Sequence, residues 1–172
     1  MFKSGEYVIY GSGEICCVEE IAERCFDGKN KIKYYKIAPK EYRNSAYYVP
    51  VANAEKEIRR LLTKEEILEI IDSIPKAEAV WYADKNERKN HFETILRSDD
   101  FSGLIGMIKA IYEERKKRSH DGKKLIASDE RAFSAAEHII HGEFAFVLGI
   151  PESEVGSFIR ERIEILHQRI SI

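Results

Sequence analysis

The spacing of the hydrophobic residues in this chain changes once, near residue 54. Before that point, short runs of β-branched and aromatic residues alternate with turn residues, as in the run 7–10 and the glycine-rich turn 11–13. From Ala54 onward, apolar residues recur at the helical spacing of about 3.6 residues. Strands followed only by helices predict an α+β chain built from a β-domain and an α-domain.

The strand-rich part contains four candidate strands, at residues 7–10, 15–18, 32–37 and 46–50. Turn residues separate these runs: Gly11-Ser12-Gly13 follows the first, and Asp27-Gly28 precedes the third. Several strands this short, at such spacing, are typical of a small closed barrel. We therefore predict a small closed or nearly closed β-barrel over residues 1–53.

The remainder of the chain predicts helices. Residues 54–75 are expected to be a connecting helical segment, and residues 76–172 a helical bundle. Helix starts are indicated at Thr63, at Asp84 and at Ser128-Asp129-Glu130. Gly149 followed by Pro151 predicts the end of one helix and the start of the last one.

Composition excludes several classes of protein. Lys and Arg number 28 against 30 Asp and Glu, a net charge of −2, so coating nucleic acid by charge alone is not expected. No apolar run reaches the roughly 18 residues of a membrane span. Three cysteines without a CxxC pair indicate buried, reduced thiols. We expect a cytoplasmic protein that does not associate with membranes.

The motifs indicate no catalysis. The nearest metal-like pattern is His138 and His141, three residues apart on a predicted helix, but Glu137 precedes the first histidine, which is not the HExxH order. The turn 11–13 lacks the context of a phosphate-binding loop. We expect no enzyme, no metal and no cofactor.

The single tryptophan, Trp81, is the most informative residue of the helical part. Lys85, Arg88 and Lys89 follow it on one helical stripe, and Phe92 continues that stripe. Cations beside an aromatic residue are one way to bind DNA phosphates and to wedge a ring between base steps. Equally, the cationic side chains could lie over a small core that Trp81 caps.

A second basic stretch lies at residues 109–124. This stretch contains seven Lys or Arg residues, among them Arg115 and Lys116, and three acidic residues, so its net charge is +4. Basic residues in a last helical turn complement the helix dipole, so this stretch is more typical of a solvated helix end, and a contact with the DNA backbone is the second interpretation.

Two segments carry a resemblance to a known family. Residues 2–10, from Phe2 to Tyr10 before a glycine turn, resemble the opening of the CarD/CdnL family of bacterial transcription regulators. Residues 48–54, Tyr-Val-Pro-Val-Ala-Asn-Ala, resemble that family's VPxxNA segment. The first domain is also similar to the polymerase-binding module of the transcription-repair coupling factor.

The resemblance implies a Tudor-like (SH3-like) barrel that binds the β subunit of RNA polymerase. It also implies a helical domain that contacts promoter DNA in the minor groove at the upstream edge of the melted bubble, with low sequence specificity, and stabilises the open complex. Trp81 would be the wedge, and Arg24 would match an arginine used against the polymerase. Tyr48 stands where another member has arginine, just before Val49-Pro50.

On this resemblance, the polymerase-binding residues would be Arg24, Tyr48 and Pro50. The DNA-binding residues would be Trp81, Lys85, Arg88 and Lys89, and the second basic stretch adds Arg115 and Lys116 as candidates. We expect a monomer. The alternative is an adaptor of the transcription machinery that binds only proteins and keeps Trp81 buried.

Overall fold

The computed structural model describes residues 1–26, 28–41, 45–98 and 100–170. The chain divides into two compact units, a sheet unit over Met1–Leu61 and a helical unit over Leu62–Ile172. Antiparallel strands followed by helices confirm the predicted α+β class. The predicted turn residue Asp27 lies outside the described residues.

The sheet unit is one antiparallel sheet of five strands in the order β4-β3-β2-β1-β5. The strands are β1 Tyr7–Tyr10, β2 Glu14–Arg24, β3 Ile32–Pro39, β4 Tyr47–Pro50 and β5 Ile58–Arg60. The β1–β2 turn has positive φ at Gly11 (55°) and Gly13 (119°), which residues with a side chain rarely adopt. All four strands expected from the hydrophobic runs are present, and β2 is longer than its run.

The expected closed barrel is not confirmed, because β4 and β5 are the two edges of an open sheet. One face of this sheet is buried, and its core contains Val8, Val18, Tyr35, Ile37 and Val49. The edge strands are only four and three residues long, and such short edges limit unwanted pairing with other chains.

The end of the sheet unit differs from the expected domain boundary. The 3₁₀ helix Val51–Lys56 leads from β4 into β5, and β5 pairs with β1 through Ile9 and Arg59. Residues 54–60 therefore belong to the sheet unit, and the expected connecting helix over residues 54–75 is wrong in its first part. The sequence Ile58-Arg59-Arg60 is too short and too charged to indicate a strand.

Over its described residues, the helical unit contains five α-helices around one apolar core. They are α1 Lys64–Ser73, α2 Lys85–Leu96, α3 Phe101–His120, α4 Ala127–Leu148 and α5 Glu152–Ile170. Large buried core residues include Ile71, Phe92, Leu104, Ile111 and Phe144. Within the described residues, no helix is long and apolar enough to cross a membrane.

Most of the expected helix ends are confirmed. Thr63 and Glu66 form a reciprocal capping box at α1, and Asp84 caps α2 by accepting from two backbone N–H groups. Gly149 ends α4 in the left-handed conformation, with φ of 70°. The cap expected at Ser128 is wrong, because α4 begins at Ala127 and its N-cap, Ile126, has no side-chain oxygen to offer.

Candidate functional site

The unburied face of the sheet unit brings the expected polymerase-binding residues together. Residues directly opposite in a ladder point to the same face of the sheet. In this register Arg24 lies opposite Ile32, Tyr34 opposite Pro50, and Lys36 opposite Tyr48. Because side chains alternate along each strand, Arg24, Tyr48 and Pro50 all lie on the face opposite the core.

Aromatic rings cover part of this face. The Phe26 ring packs edge-on against Tyr34 and against Tyr48, with centroids 5.1 Å apart in both pairs. Phe26 is nevertheless 61% exposed and Tyr48 39% exposed. We call this surface, made by Phe26, Tyr34, Tyr48, Arg24 and Pro50, the aromatic face. An exposed cluster of large apolar side chains is typical of a surface that binds another protein.

Ion pairs border the aromatic face. Arg24 donates to Glu20 at 2.8 Å, and the ammonium of Lys36 lies 2.7 Å from Glu19. The hydrogen bond and the charge of Glu19 raise the pKa of Lys36. Since these pairs are partly exposed to solvent, they contribute little to stability. Arg24 and Lys36 can therefore leave Glu20 and Glu19 and pair instead with acidic residues on the surface of another protein.

Sequence reasoning missed two residues of this face, Phe26 and Tyr34. The period-two pattern of β3 places Tyr34 on the face opposite Tyr35, so its position could have been read from the strand. Phe26 follows β2 outside any regular element, and no local pattern indicates its contact with Tyr48.

In the helical unit, Trp81 lies on an irregular strap, residues 77–83, that connects the 3₁₀ helix Ile74–Lys76 to α2. The indole is half-buried and packs against Phe92, with ring centroids 6.2 Å apart. It is therefore neither fully exposed nor entombed. Part of the indole surface faces solvent, and the rest contacts the core.

Arg88 lies behind this indole and is 4% exposed. Its guanidinium carbon lies over the Trp81 ring, 4.4 Å from the centroid. Nε and Nη2 donate to the two carboxylate oxygens of Asp129 at 3.2 and 3.1 Å, and Nη1 donates to the carbonyl of Tyr82 at 2.7 Å.

In this structure the Arg88 guanidinium is therefore bound inside the helical unit, and its expected phosphate contact stays a prediction. The helical stripe that carries it also carries the buried Phe92, so that stripe turns toward the core over this part of α2. A buried charge needs a partner and hydrogen bonds, and Asp129 supplies both. Arg88 is 4% exposed, and its Nε, Nη1 and Nη2 atoms all donate to groups of the helical unit.

The start of α4 gathers the two basic stretches that the sequence separates. Asp129 binds Arg88 of α2, and the adjacent Glu130 binds Arg115 of α3 at 2.6 Å. The guanidinium of Arg115 also lies 4.1 Å from the centroid of the Phe133 ring. The starts of α2 and α4 and the last turns of α3 therefore lie at the same end of the helical unit.

We call this end, with Trp81, Lys85, Lys89, Arg115 and Lys116, the basic end. Lys85 and Lys116 are exposed, and neither forms an ion pair with any residue that the structure describes. Lys89 is 59% exposed and lies 3.7 Å from Glu93 across one helical turn. These three ammonium groups can reach an anion in solvent, whereas the guanidinium of Arg115 is partly occupied by Glu130.

Metal-binding or reactive groups are not gathered at either surface. Across the described ranges, no three His, Cys, Asp or Glu side chains are grouped so as to hold a metal ion. His138 is 75% exposed and lies 3.4 Å from Glu152. Cys16, Cys17 and Cys25 form no disulfide, and burial raises the pKa of Cys16 to about 12.

Comparison with known proteins bears on the sheet unit. Residues 2–62 match the family model of the CarD-like/TRCF RID domain. No curated protein matches the chain. A domain of this family supports a transcription-related protein that interacts with RNA polymerase. The sheet unit is therefore a CarD-like/TRCF RID domain, in agreement with the resemblance in its opening and closing segments.

Proposed function

We propose that this chain is a transcription regulator that binds the β subunit of RNA polymerase through its sheet unit and promoter DNA through its helical unit. It stabilises the open complex by placing Trp81 at the upstream edge of the bubble, in the minor groove. It acts as a monomer and without catalysis. The RID-domain match over residues 2–62 supports the polymerase half of this proposal.

The aromatic face is the proposed polymerase-binding surface. Interfaces are enriched in exposed aromatic residues and arginine, and the few residues that dominate binding are most often of these types. Phe26, Tyr34 and Tyr48 form one aromatic group, and Arg24 and Pro50 lie on the same face. An acidic, partly apolar patch on the polymerase fits this composition.

One observation carries the DNA half of the proposal: the only tryptophan and both basic stretches lie at one end of the helical unit. The residues that join them are Asp129 and Glu130, adjacent in the sequence. Lys85, Lys89 and Lys116 provide exposed cations, and an aromatic side chain inserted between base steps unstacks them at a cost of a few kcal/mol.

The charge of the chain explains why both halves are needed. With a net charge of −2, the free protein is expected to bind duplex DNA weakly. A second contact made by a protein already held on the polymerase benefits from a high effective concentration. Three exposed lysines and one indole are then enough for a contact at the strained edge of the bubble.

The alternative is an adaptor that binds only proteins. The packing of Trp81 on Phe92 favours it, because part of the indole surface is already used inside the helical unit. In the open complex, Lys85 lies next to promoter DNA if the chain is a DNA-binding regulator, and next to protein alone if it is an adaptor.

Photo-crosslinking in open complexes separates the two functions. A photoreactive amino acid at Lys85 should crosslink to promoter DNA at the upstream edge of the bubble, and one at Tyr34 should crosslink to the polymerase β subunit. The same amino acid at the exposed Glu164 of α5 is the control and should crosslink to neither. Crosslinks from Lys85 to protein alone would favour the adaptor.

A further inference from the structure

The strap that carries Trp81 is held at both of its ends by side chains of the helical unit. At its start, the ammonium of Lys109 donates to the carbonyls of Ala77 at 2.8 Å and Pro75 at 3.4 Å. At its end, Nη1 of Arg88 donates to the carbonyls of Tyr82 at 2.7 Å and Ala83 at 3.3 Å. An irregular segment of this length would otherwise be free to move.

Between these ends the strap lies directly against α3. A methyl group built on Gly106 would lie 2.5 Å from the carbonyl oxygen of Glu78, closer than real contacts allow. Gly106 is also buried. Glycine in the middle of a helix is less favourable than alanine, so its use here matches the close approach of the strap.

Asp129 in turn fixes Arg88. Its two carboxylate oxygens accept from Nε and Nη2, a bidentate pair that sets the plane of the guanidinium. Both partners are 4% exposed or less. The guanidinium therefore stays over the Trp81 ring, 4.4 Å from its centroid, while it also binds the strap carbonyls.

We infer that Arg88, Asp129 and Gly106 are positioning residues that set the Trp81 indole in its DNA-binding orientation before DNA is present. The part of this inference that concerns DNA rests on the proposed function. The part that says these residues hold the indole in place does not. A side chain that is already ordered does not have to be immobilised on binding, a cost of about 0.5–1.5 kcal/mol for one side chain. Arg88 covers one face of the indole, so the part of the ring that Arg88 leaves uncovered is the part that contacts the DNA bases.

Because Trp81 is the only tryptophan, its fluorescence reports on the strap alone. Asp129→Asn and Gly106→Ala in the full chain should each shift the emission to longer wavelength, raise acrylamide quenching and lower the anisotropy. The matched control for glycine is Gly142→Ala on α4, where an added methyl group meets nothing within 4 Å. The control for the ion pair is Asp72→Asn, which weakens the bidentate pair with Arg162 that joins α1 to α5.

Changes in both test variants, with neither control changed, would support the inference. Fluorescence identical to the parent in Asp129→Asn and Gly106→Ala would overturn it. If Asp129→Asn fails to fold, the result for Gly106→Ala decides alone. Alanine is a better helix former than glycine, so this change does not weaken α3 itself.

The lifetime of the open complex tests the use of this positioning separately. The two test variants should shorten it about two- to tenfold, the factor that corresponds to ordering one side chain on binding. One outcome would separate the two ideas: altered fluorescence in Asp129→Asn and Gly106→Ala, with open-complex lifetimes equal to the parent in these variants and in Trp81→Ala. It would support the positioning role and overturn the proposed DNA contact.

Discussion

Arg88 and Asp129 form a bidentate ion pair across 41 residues of sequence, inside the core of the helical unit. Both side chains are almost fully buried, at 4% and 3% exposure. The pair joins the first turns of α2 to the first turn of α4, next to Trp81. Arg88 therefore acts inside the fold, whereas Lys85, Lys89 and Lys116 are exposed to solvent.

The first prediction concerns stability. Arg88→Ala leaves the Asp129 carboxylate buried without a partner, so it should lower the free energy of unfolding by about 3–5 kcal/mol. The matched control is Arg162→Ala, which breaks a bidentate pair about one-third exposed and should cost about 0–1 kcal/mol. Urea unfolding measures both. Equal losses in the two variants would contradict the structural role of Arg88.

A second prediction concerns the salt dependence of promoter binding. Lys89→Ala and Lys116→Ala each remove one proposed phosphate contact, so each should reduce the slope of log affinity against log salt by about 0.9. Lys64→Ala, at the exposed start of α1, is the control and should leave the slope unchanged. The measurement is the binding of each variant to polymerase–promoter complexes over a salt series. A parental slope would remove that lysine from the DNA contacts.

A third prediction concerns the aromatic face. Phe26→Ala and Tyr48→Ala should each weaken polymerase binding by about 2 kcal/mol, roughly 30-fold, as for a dominant interface residue. Since both side chains are exposed, circular dichroism and thermal unfolding should change little. The control is Ile21→Ala, also 39% exposed but on the opposite face of the sheet. A loss with Ile21→Ala as large as with Phe26→Ala would place the contact elsewhere.

The cysteines give a fourth prediction. Burial, with smaller contributions from Glu14 and Cys17, raises the pKa of Cys16 from 9.0 to about 12. The thiolate is the reactive form, so the exposed Cys25 should be labelled by a maleimide long before Cys16. Mass spectrometry of the labelled, folded protein gives the order. Rapid labelling of Cys16 would contradict its burial.

The same shift sets the sign of a pH effect on stability. The pKa of Cys16 is higher in the folded protein, so the stabilisation is complete below 9.0 and is lost as the pH rises toward about 12. Cys16→Ala should flatten this part of the stability curve.

The sequence predicts much of this structure because local signals dominate. Period-two and helical spacing locate four strands and all five helices, and Thr63, Asp84 and Gly149 mark helix ends through local hydrogen bonds or backbone geometry. The predicted helical stripe of α2 is also confirmed, because Arg88 and Phe92 are both buried on one face of this helix.

What the sequence could not supply are contacts between distant residues. No local pattern indicates that Asp129 pairs with Arg88, so the sequence alone does not distinguish a buried cation on this stripe from a solvent-facing one. β5 exists because Ile58 pairs with Tyr10, and three residues with two arginines give no strand signal. Closure of the sheet depends on the relative placement of β4 and β5, which no single strand determines.

The lifetime of open complexes with Trp81→Ala tests the central claim most directly. The variant should bind polymerase as the parent does, because Trp81 lies outside the sheet unit, and its open complexes on a slowly opening promoter should decay faster than those with the parent. Lys56→Ala, an exposed change in the sheet unit away from the aromatic face, is the control. If open complexes with Trp81→Ala last as long as those with the parent while polymerase binding is intact, the helical unit does not stabilise the bubble through this indole.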